Sequence, residues 1–119
     1  FDVVVDCMSV YANETSIISQ AFQEIARVLK KNGRIISRSW GHETMLISEG
    51  QTIDGRTISE AKAGPCAGFG ISHFFDQAEI LELFANFDLD EFCKTTKHDL
   101  LADKHITEWT VSGVLKSGA

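Results

Sequence analysis

The chain has 119 residues, 44% of them hydrophobic, and a formal net charge of −6 at pH 7. This length fits one domain or part of one, and the apolar fraction argues against a disordered chain. The acidic balance disfavours a protein that wraps nucleic acid, and no apolar run approaches the roughly 20 residues that span a bilayer. We therefore expect a globular domain without a nucleic-acid or membrane partner.

The cysteines Cys7, Cys66 and Cys93 are odd in number and widely spaced. Because no Cys-x-x-Cys pair occurs, the ligand spacing of a zinc site is missing, and we expect no metal. The first residues do not have the basic and then apolar pattern of a secretory signal. Free thiols in a reducing, cytoplasmic setting are the simplest interpretation.

Residues 1–6 are predicted to form a buried strand, because Val3, Val4 and Val5 make a continuous apolar run. A fully apolar strand usually has a neighbouring strand on each side, yet this one stands at the start of a chain that has no initiator methionine. We therefore expect a fragment whose missing N-terminal half, or a second copy, pairs with this strand. A loop over residues 7–13 follows, at the strand end where open α/β sheets bind ligands.

The next unit is predicted to be a helix over residues 16–31 and a strand over 34–39. Apolar residues recur at steps of three and four on one helical face: Ile18, Ala21, Phe22, Ile25, Val28 and Leu29. Lys30 and Lys31 are expected in the last helical turn, and Asn32-Gly33 is expected to end the helix. The helix should connect two parallel strands through a right-handed crossover.

Residues 43–72 are rich in glycine and are predicted to be an insertion, a lid or substrate wall over the ligand edge. A second helix is predicted over residues 75–87. Asp76 and Glu79 have the spacing of a capping box there, and Phe75 and Ile80 that of a hydrophobic staple. Strands over 90–96 and 106–116, connected by 98–105, should pair antiparallel because no helix separates them.

These elements make an α/β chain, and their order resembles the C-terminal half of a class I S-adenosylmethionine-dependent methyltransferase. Phe1–Val5 resembles the fourth strand of that fold, and Leu29–Ile36 resembles the segment that enters its fifth. His73-Phe74-Phe75 resembles the start of the helix before the sixth strand, and Ile106–Val111 the final antiparallel strand. The resemblance implies a Rossmann-like sheet with helices on its faces and the strand order four, five, seven, six. Lys31 and Asn32 depart from the family's proline and glycine.

The resemblance implies methyl transfer from S-adenosylmethionine to a small-molecule acceptor. Cys7, Met8 and Ser9 would run beside the methionine end of the cofactor. The family's glycine-rich loop and its acidic ribose-binding residue are absent from the sequence, so we expect the chain to be inactive by itself.

Five residues are candidates for chemistry on the methyl acceptor. His42 and His73 are candidate proton acceptors, because neutral imidazole titrates near working pH. Tyr11 is a candidate to orient the acceptor, and Arg38 and Trp40 are candidates to line its pocket. Each has a purely structural alternative, since tyrosine and tryptophan often pack in cores and lone histidines are often structural.

Two other interpretations remain open. The chain is alternatively a stand-alone α/β interaction module without catalytic activity, or it belongs to another doubly wound enzyme such as a dehydrogenase. The antiparallel closing pair favours the methyltransferase over the dehydrogenase.

Overall fold

The computed structural model describes residues 1–41, 51–54, 57–59, 70–101 and 103–117. Its elements, in chain order, are β1 (Val3–Cys7), α1 (Thr15–Val28), β2 (Arg34–Trp40), β3 (Gln51–Asp54), β4 (Thr57–Ser59), β5 (Ile71–His73), α2 (Gln77–Leu83), β6 (Phe87–Asp99) and β7 (Lys104–Leu115). Apart from β3, β4 and β5, the order is strand, helix, strand, helix, strand, strand, as predicted on either side of the proposed insertion.

Four of the strands form a sheet in the order β1-β2-β7-β6. β1 and β2 are parallel because α1 carries the chain back between them. β7 runs antiparallel to both of its neighbours, β2 and β6. The order four, five, seven, six that the resemblance implied, with its antiparallel closing strand, is confirmed.

Both helices pack on one face of this sheet. Alternate residues of β2 are buried, and Ile35 of this strand is fully inaccessible to solvent. Phe22 of α1 contacts Phe84, just after α2, with ring centroids 4.8 Å apart. The resulting apolar cluster is one core, and its buried members are Ile18, Phe22, Leu29, Ile35, Phe75, Ile80, Phe84, Phe87, Trp109, Val111 and Leu115.

The other face of the sheet, which we call the open face, has no helix against it among the described residues. Near β1 it is apolar, with Val3, Val5 and Ile36 exposed. Towards β6 it is charged, because Arg34 pairs with Asp90 at 2.7 Å. Hydrogen bonds from Arg34 and Ser112 lower the pKa of Asp90 to about 2. The apolar half of this face therefore lies beside the edge strand β1.

The predicted C-terminal end of the first helix is wrong by three residues. α1 ends at Val28, and the next residue already has extended backbone. The backbone N–H of Lys30 instead donates to the carbonyl of Phe1 at 2.8 Å, so Lys30 and Lys31 lie outside the helix. Asn32 adopts the predicted left-handed conformation, with φ of 62°, but in the turn that leads into β2. Pairing with the start of β1 therefore stops the helix before its sequence periodicity ends.

The second helix is also shorter than predicted. It begins at Gln77, and its cap Asp76 accepts a hydrogen bond from the backbone N–H of Glu79 at 2.8 Å. This confirms one half of the capping box. The other half is wrong, because the Glu79 side chain binds His73 instead. Phe87, predicted to be helical, is a buried residue of β6.

The last two strands extend further than predicted. Residues 98 and 105, placed in the connection by the sequence, pair with each other across the β6–β7 hairpin. Their imidazole rings stack with centroids 4.2 Å apart. Cross-strand contacts of this kind depend on both strands, so neither segment alone reveals them.

The predicted insertion contains a second, three-stranded antiparallel sheet in the order β3-β4-β5. Residues 42–50, 55–56 and 60–69 lie outside the described residues. A role of residues 43–72 as a lid or substrate wall stays a prediction. Within the described parts of the chain, neither helix has the length and hydrophobicity needed to cross a bilayer.

Candidate functional site

The carboxyl ends of β1 and β2 meet at one edge of the main sheet, where a buried carboxylate holds the loop after β1. Asp6 is 5% exposed, and its Oδ1 accepts hydrogen bonds from the backbone N–H groups of Ser9 and Val10, at 3.2 and 2.9 Å. Its Oδ2 accepts from the hydroxyl of Ser37, in β2, at 2.9 Å. Asp6 therefore ties the loop of residues 7–13 to the neighbouring strand.

Sequence reasoning missed this role of Asp6. The sequence did contain one indication of it, because Asp6 is a single acidic residue at the end of an apolar strand. The three donors it binds could not be inferred, because Ser37 lies 31 residues away in the chain.

The three predicted cofactor contacts lie at the start of this loop. Met8 has a left-handed backbone, with φ of 52°, and its N–H donates to the carbonyl of Arg38 at 3.0 Å. Cys7 and Ser9 are exposed, and Met8 is half-buried. The Met8, Ser9 and Val10 amides already have partners. The carbonyls of Ser9, Val10 and Tyr11 also accept hydrogen bonds from within the chain, so this loop presents mainly its exposed side chains to a ligand.

The structure brings three of the predicted acceptor residues together. The rings of Tyr11 and Trp40 meet edge to face, with centroids 6.3 Å apart. The carbonyl of Tyr11 accepts a hydrogen bond from the backbone N–H of His73 at 2.8 Å. The carbonyl of Trp40 accepts one from Phe75 at 2.9 Å. The loop after β1, the end of β2 and the segment after β5 therefore form one continuous wall.

His73 lies at the centre of a buried hydrogen-bond network. Its side chain is 1% exposed, with Nδ1 at 2.7 Å from Thr57 Oγ1 and Nε2 at 2.8 Å from Glu79 Oε2. A carboxylate only accepts, so Nε2 carries the hydrogen, and in the neutral ring Nδ1 accepts from the Thr57 hydroxyl. The network links β4, β5 and α2.

A proton-accepting role for His73 stays a prediction. Nε2 already carries a hydrogen, so the imidazole can take a proton from the methyl acceptor only at Nδ1, after the Thr57 hydroxyl has released that atom.

Arg38 and His42 are the remaining candidate residues for acceptor chemistry. Arg38 lies on the open face, where its guanidinium pairs with Glu108 at 2.9 Å. The hydrogen bond to Glu108 raises the pKa of Arg38. His42 lies outside the described residues. Among the side chains that the structure describes, no three His, Cys, Asp or Glu residues are grouped to hold a metal ion.

Comparisons with known proteins address the fold. No family profile and no curated protein matches the sequence. Among solved structures, a SAM-dependent methyltransferase from Methanosarcina mazei superposes over 97% of this chain and 59% of its own, with 17% identity and a TM-score of 0.73. One from Mesorhizobium loti covers 96% of this chain and 61% of its own, with 15% identity and a TM-score of 0.66.

A third structure is the 1,6-didemethyltoxoflavin-N1-methyltransferase of Burkholderia thailandensis. It was solved with bound 1,6-didemethyltoxoflavin and S-adenosylhomocysteine, and the match covers 98% of this chain and 44% of that protein. Its identity is 15% and its TM-score 0.63. This chain has part of the SAM-dependent methyltransferase fold.

The chain spans roughly half of each of these methyltransferases. Cys7 and Ser9 are exposed after the carboxyl end of β1, so their side chains are accessible to a ligand at this edge of the sheet. The two elements that were expected to bind most of the cofactor, a glycine-rich loop and an acidic ribose-binding residue, are absent from the sequence.

Proposed function

We propose that this chain is part of an enzyme that transfers a methyl group from S-adenosylmethionine to a small-molecule acceptor. The observation that carries the proposal is the sheet order β1-β2-β7-β6, with β7 antiparallel to both neighbours. The principal cofactor-binding half comes from outside these 119 residues.

In this proposal the ligand edge holds both reactants. Cys7, Met8 and Ser9 line the methionine end of the cofactor. Tyr11 orients the acceptor, while Arg38 and Trp40 line its pocket. In-line transfer depends mainly on holding the two reactants close and aligned. If the methyl acceptor loses a proton during transfer, His42 or His73 takes up that proton.

We further propose that the missing half pairs with β1, or that a second copy does so in its absence. Val5 is 66% exposed, on a strand that pairs on one side only within the described chain, and Phe1, just before this strand, is 74% exposed. An apolar groove of about 490 Å³ runs between β1 and α1, where Val4, Ile25 and Val28 are among its lining residues. A strand added to this edge gains main-chain hydrogen bonds and covers apolar surface on both faces.

Replacing Val5 with lysine is expected to weaken self-association of the 119-residue chain, because a charge on an edge strand opposes pairing with another strand. Light scattering across a concentration series measures this as a lower apparent mass for Val5→Lys than for the wild type. Leu101→Lys, at the fully exposed tip of the β6–β7 hairpin, is the control and should behave as the wild type. A wild-type chain that stays monomeric at high concentration would contradict the pairing.

Calorimetry with S-adenosylmethionine is expected to show little or no binding to the 119-residue chain, because this chain does not contain the glycine-rich loop and the acidic residue that were expected to bind the cofactor. Tight binding by this chain alone would show that the cofactor site is misplaced. Reading the gene upstream of Phe1 tests the enzyme itself. A glycine-rich strand-loop-helix unit there supports the methyltransferase.

The second candidate function is a stand-alone α/β interaction module. The exposed apolar edge of β1 favours it, since such edges bind extended segments of other chains. A start codon directly before Phe1 would support this module and contradict the enzyme.

A further inference from the structure

The strand β6 forms the second edge of the main sheet, at the opposite side from β1. It pairs with β7 along one side, and within the described chain no strand pairs with its other side. Every residue from Asp90 to Asp99 except Phe92 is exposed. An edge of this length presents a row of backbone N–H and C=O groups that a further strand can bind.

The charges of β6 differ between its two halves. The first half has three carboxylates, the second has two ammonium groups, and one more carboxylate ends the strand: Asp88, Asp90 and Glu91, then Lys94 and Lys97, then Asp99. Neither Asp88 nor Lys97 forms an ion pair within the described residues. Charges on an edge strand usually oppose pairing, but opposite charges in its two halves suit an antiparallel copy of the same strand.

The register of β6 against β7 places Asp88 and Lys97 on one face of the sheet, at equal distances from Cys93. Their partners on β7 follow at four-residue intervals: Val114 for Asp88, Thr110 for Cys93 and Ile106 for Lys97. Residues four apart on a strand project from the same face. Within β6, Asp88 is five residues from Cys93 and Lys97 is four, because the register shift between Leu89 and Glu91 inserts one extra residue. The bulge therefore makes the two charges symmetric about Cys93.

We propose that β6 binds a second copy of this chain, with the two β6 strands antiparallel about a two-fold axis that passes between the two Cys93 residues. Asp88 of each copy then lies opposite Lys97 of the other, so two ion pairs form between charges that are unpaired within the described chain. Because both copies use the same residues, the interface closes as a dimer. A two-fold axis at Lys94 would instead bring two ammonium groups together.

The opposite face of the strand agrees with this register. Phe92 is half-buried, and its ring centroid lies 5.4 Å from that of Trp109. Phe92 and Lys94 flank Cys93, so the axis places Phe92 opposite Lys94 of the other copy. The methylene chain of that lysine can then cover the part of the Phe92 ring that is exposed in the single chain.

Pairing through β6 joins the two main sheets into one and leaves β1 of each copy at an outer edge. It is thus compatible with a missing half that pairs with β1, and it does not depend on methyl transfer. The test of β6 uses the Val5→Lys chain, in which pairing through β1 is expected to be weakened.

Disulfide cross-linking tests the position of the axis. Cys7→Ser and Cys66→Ser leave Cys93 as the sole cysteine, and two directly opposed cysteines are within disulfide distance. Diamide, which takes up the two thiol hydrogens, should convert most of this chain into a covalent dimer on a non-reducing gel. In the matched control, Cys93→Ser and Thr95→Cys move the thiol along the same exposed face, to positions about 14 Å apart that should not cross-link. Equal cross-linking of both chains, or of neither, would overturn the axis at Cys93.

Exchange of the two charges tests the ion pairs. Sedimentation equilibrium of the Val5→Lys chain should show a monomer–dimer equilibrium. Adding Lys97→Asp should raise the dissociation constant of the dimer about ten-fold, because two attractive pairs become repulsive. Adding Asp88→Lys as well should return the constant to within about two-fold of its starting value, since each pair is restored in reverse. A Val5→Lys chain that is monomeric at every concentration, or a charge-exchanged chain that associates no more tightly than Lys97→Asp, would overturn the interface.

Discussion

Replacing His73 with alanine should lower the free energy of unfolding by about 3 kcal/mol. The change removes both side-chain hydrogen bonds of the imidazole and leaves a cavity where a fully buried side chain stood. It also takes from Glu79 the partner of Oε2, while Oε1 of the same carboxylate has no hydrogen-bond partner in the described structure. Thermal unfolding should show a melting temperature lower by roughly 10 °C.

His98→Ala is the matched control for this prediction. His98 also contacts a carboxylate, that of Asp103 at 2.8 Å, but its side chain is 40% exposed and lies near the hairpin tip. Exposed pairs of this kind contribute little, so the expected change is within about 0.5 kcal/mol. A similar loss in both variants would contradict a special role for the buried network. The large effect is expected because the His73 network connects the inserted sheet to α2.

Replacing Asp6 with alanine should cost about 3 kcal/mol of stability and release the loop that follows β1. Two backbone N–H groups and the Ser37 hydroxyl lose the carboxylate that accepts from them. Hydrogen exchange at the Ser9 and Val10 amides should become much faster, while exchange at Ile35, in the centre of the sheet, should change in proportion to global stability alone.

Asp6→Asn is the conservative variant for this position. Its amide oxygen still accepts from the backbone of Ser9 and Val10, and its amide nitrogen can donate to the Ser37 hydroxyl. We expect a loss of about 1 kcal/mol, because charge-assisted hydrogen bonds become neutral ones. Slow exchange at Ser9 and Val10 in Asp6→Ala would show that the loop is held by other contacts.

The sequence predicted β1, α1 and β2 because each has a strong local pattern. Val3–Val5 is continuously apolar, and Ile18, Phe22 and Ile25 keep helical spacing. The ends of these elements were predicted less well. α1 stops at Val28 because the N–H of Lys30 pairs with Phe1, a contact across 29 residues that helical periodicity does not encode.

In the candidate site, too, the features set by local sequence were predicted and those set by contacts between distant residues were not. The carboxyl ends of β1 and β2 were correctly predicted to lie at one sheet edge, which follows from two parallel strands joined by a helix. The grouping of Tyr11 and Trp40 with His73 was not predicted, since His73 is more than 30 residues from either of them in the sequence and local patterns do not place it. The buried role of Asp6 was missed for a similar reason.

The sequence by itself therefore determined the order of the elements, their faces and the resemblance to half of a methyltransferase sheet. The order and the faces of the elements follow from local periodicity, which acts over a few residues, whereas the resemblance rests on motifs and their order along the chain. The tertiary structure alone decided that His73 is held at both nitrogens, that Asp6 anchors a loop, and that the indole N–H of Trp40 has no partner while that of Trp109 does. Hydrogen bonds between distant segments form only when the chain has folded, so no pattern of neighbouring residues specifies them.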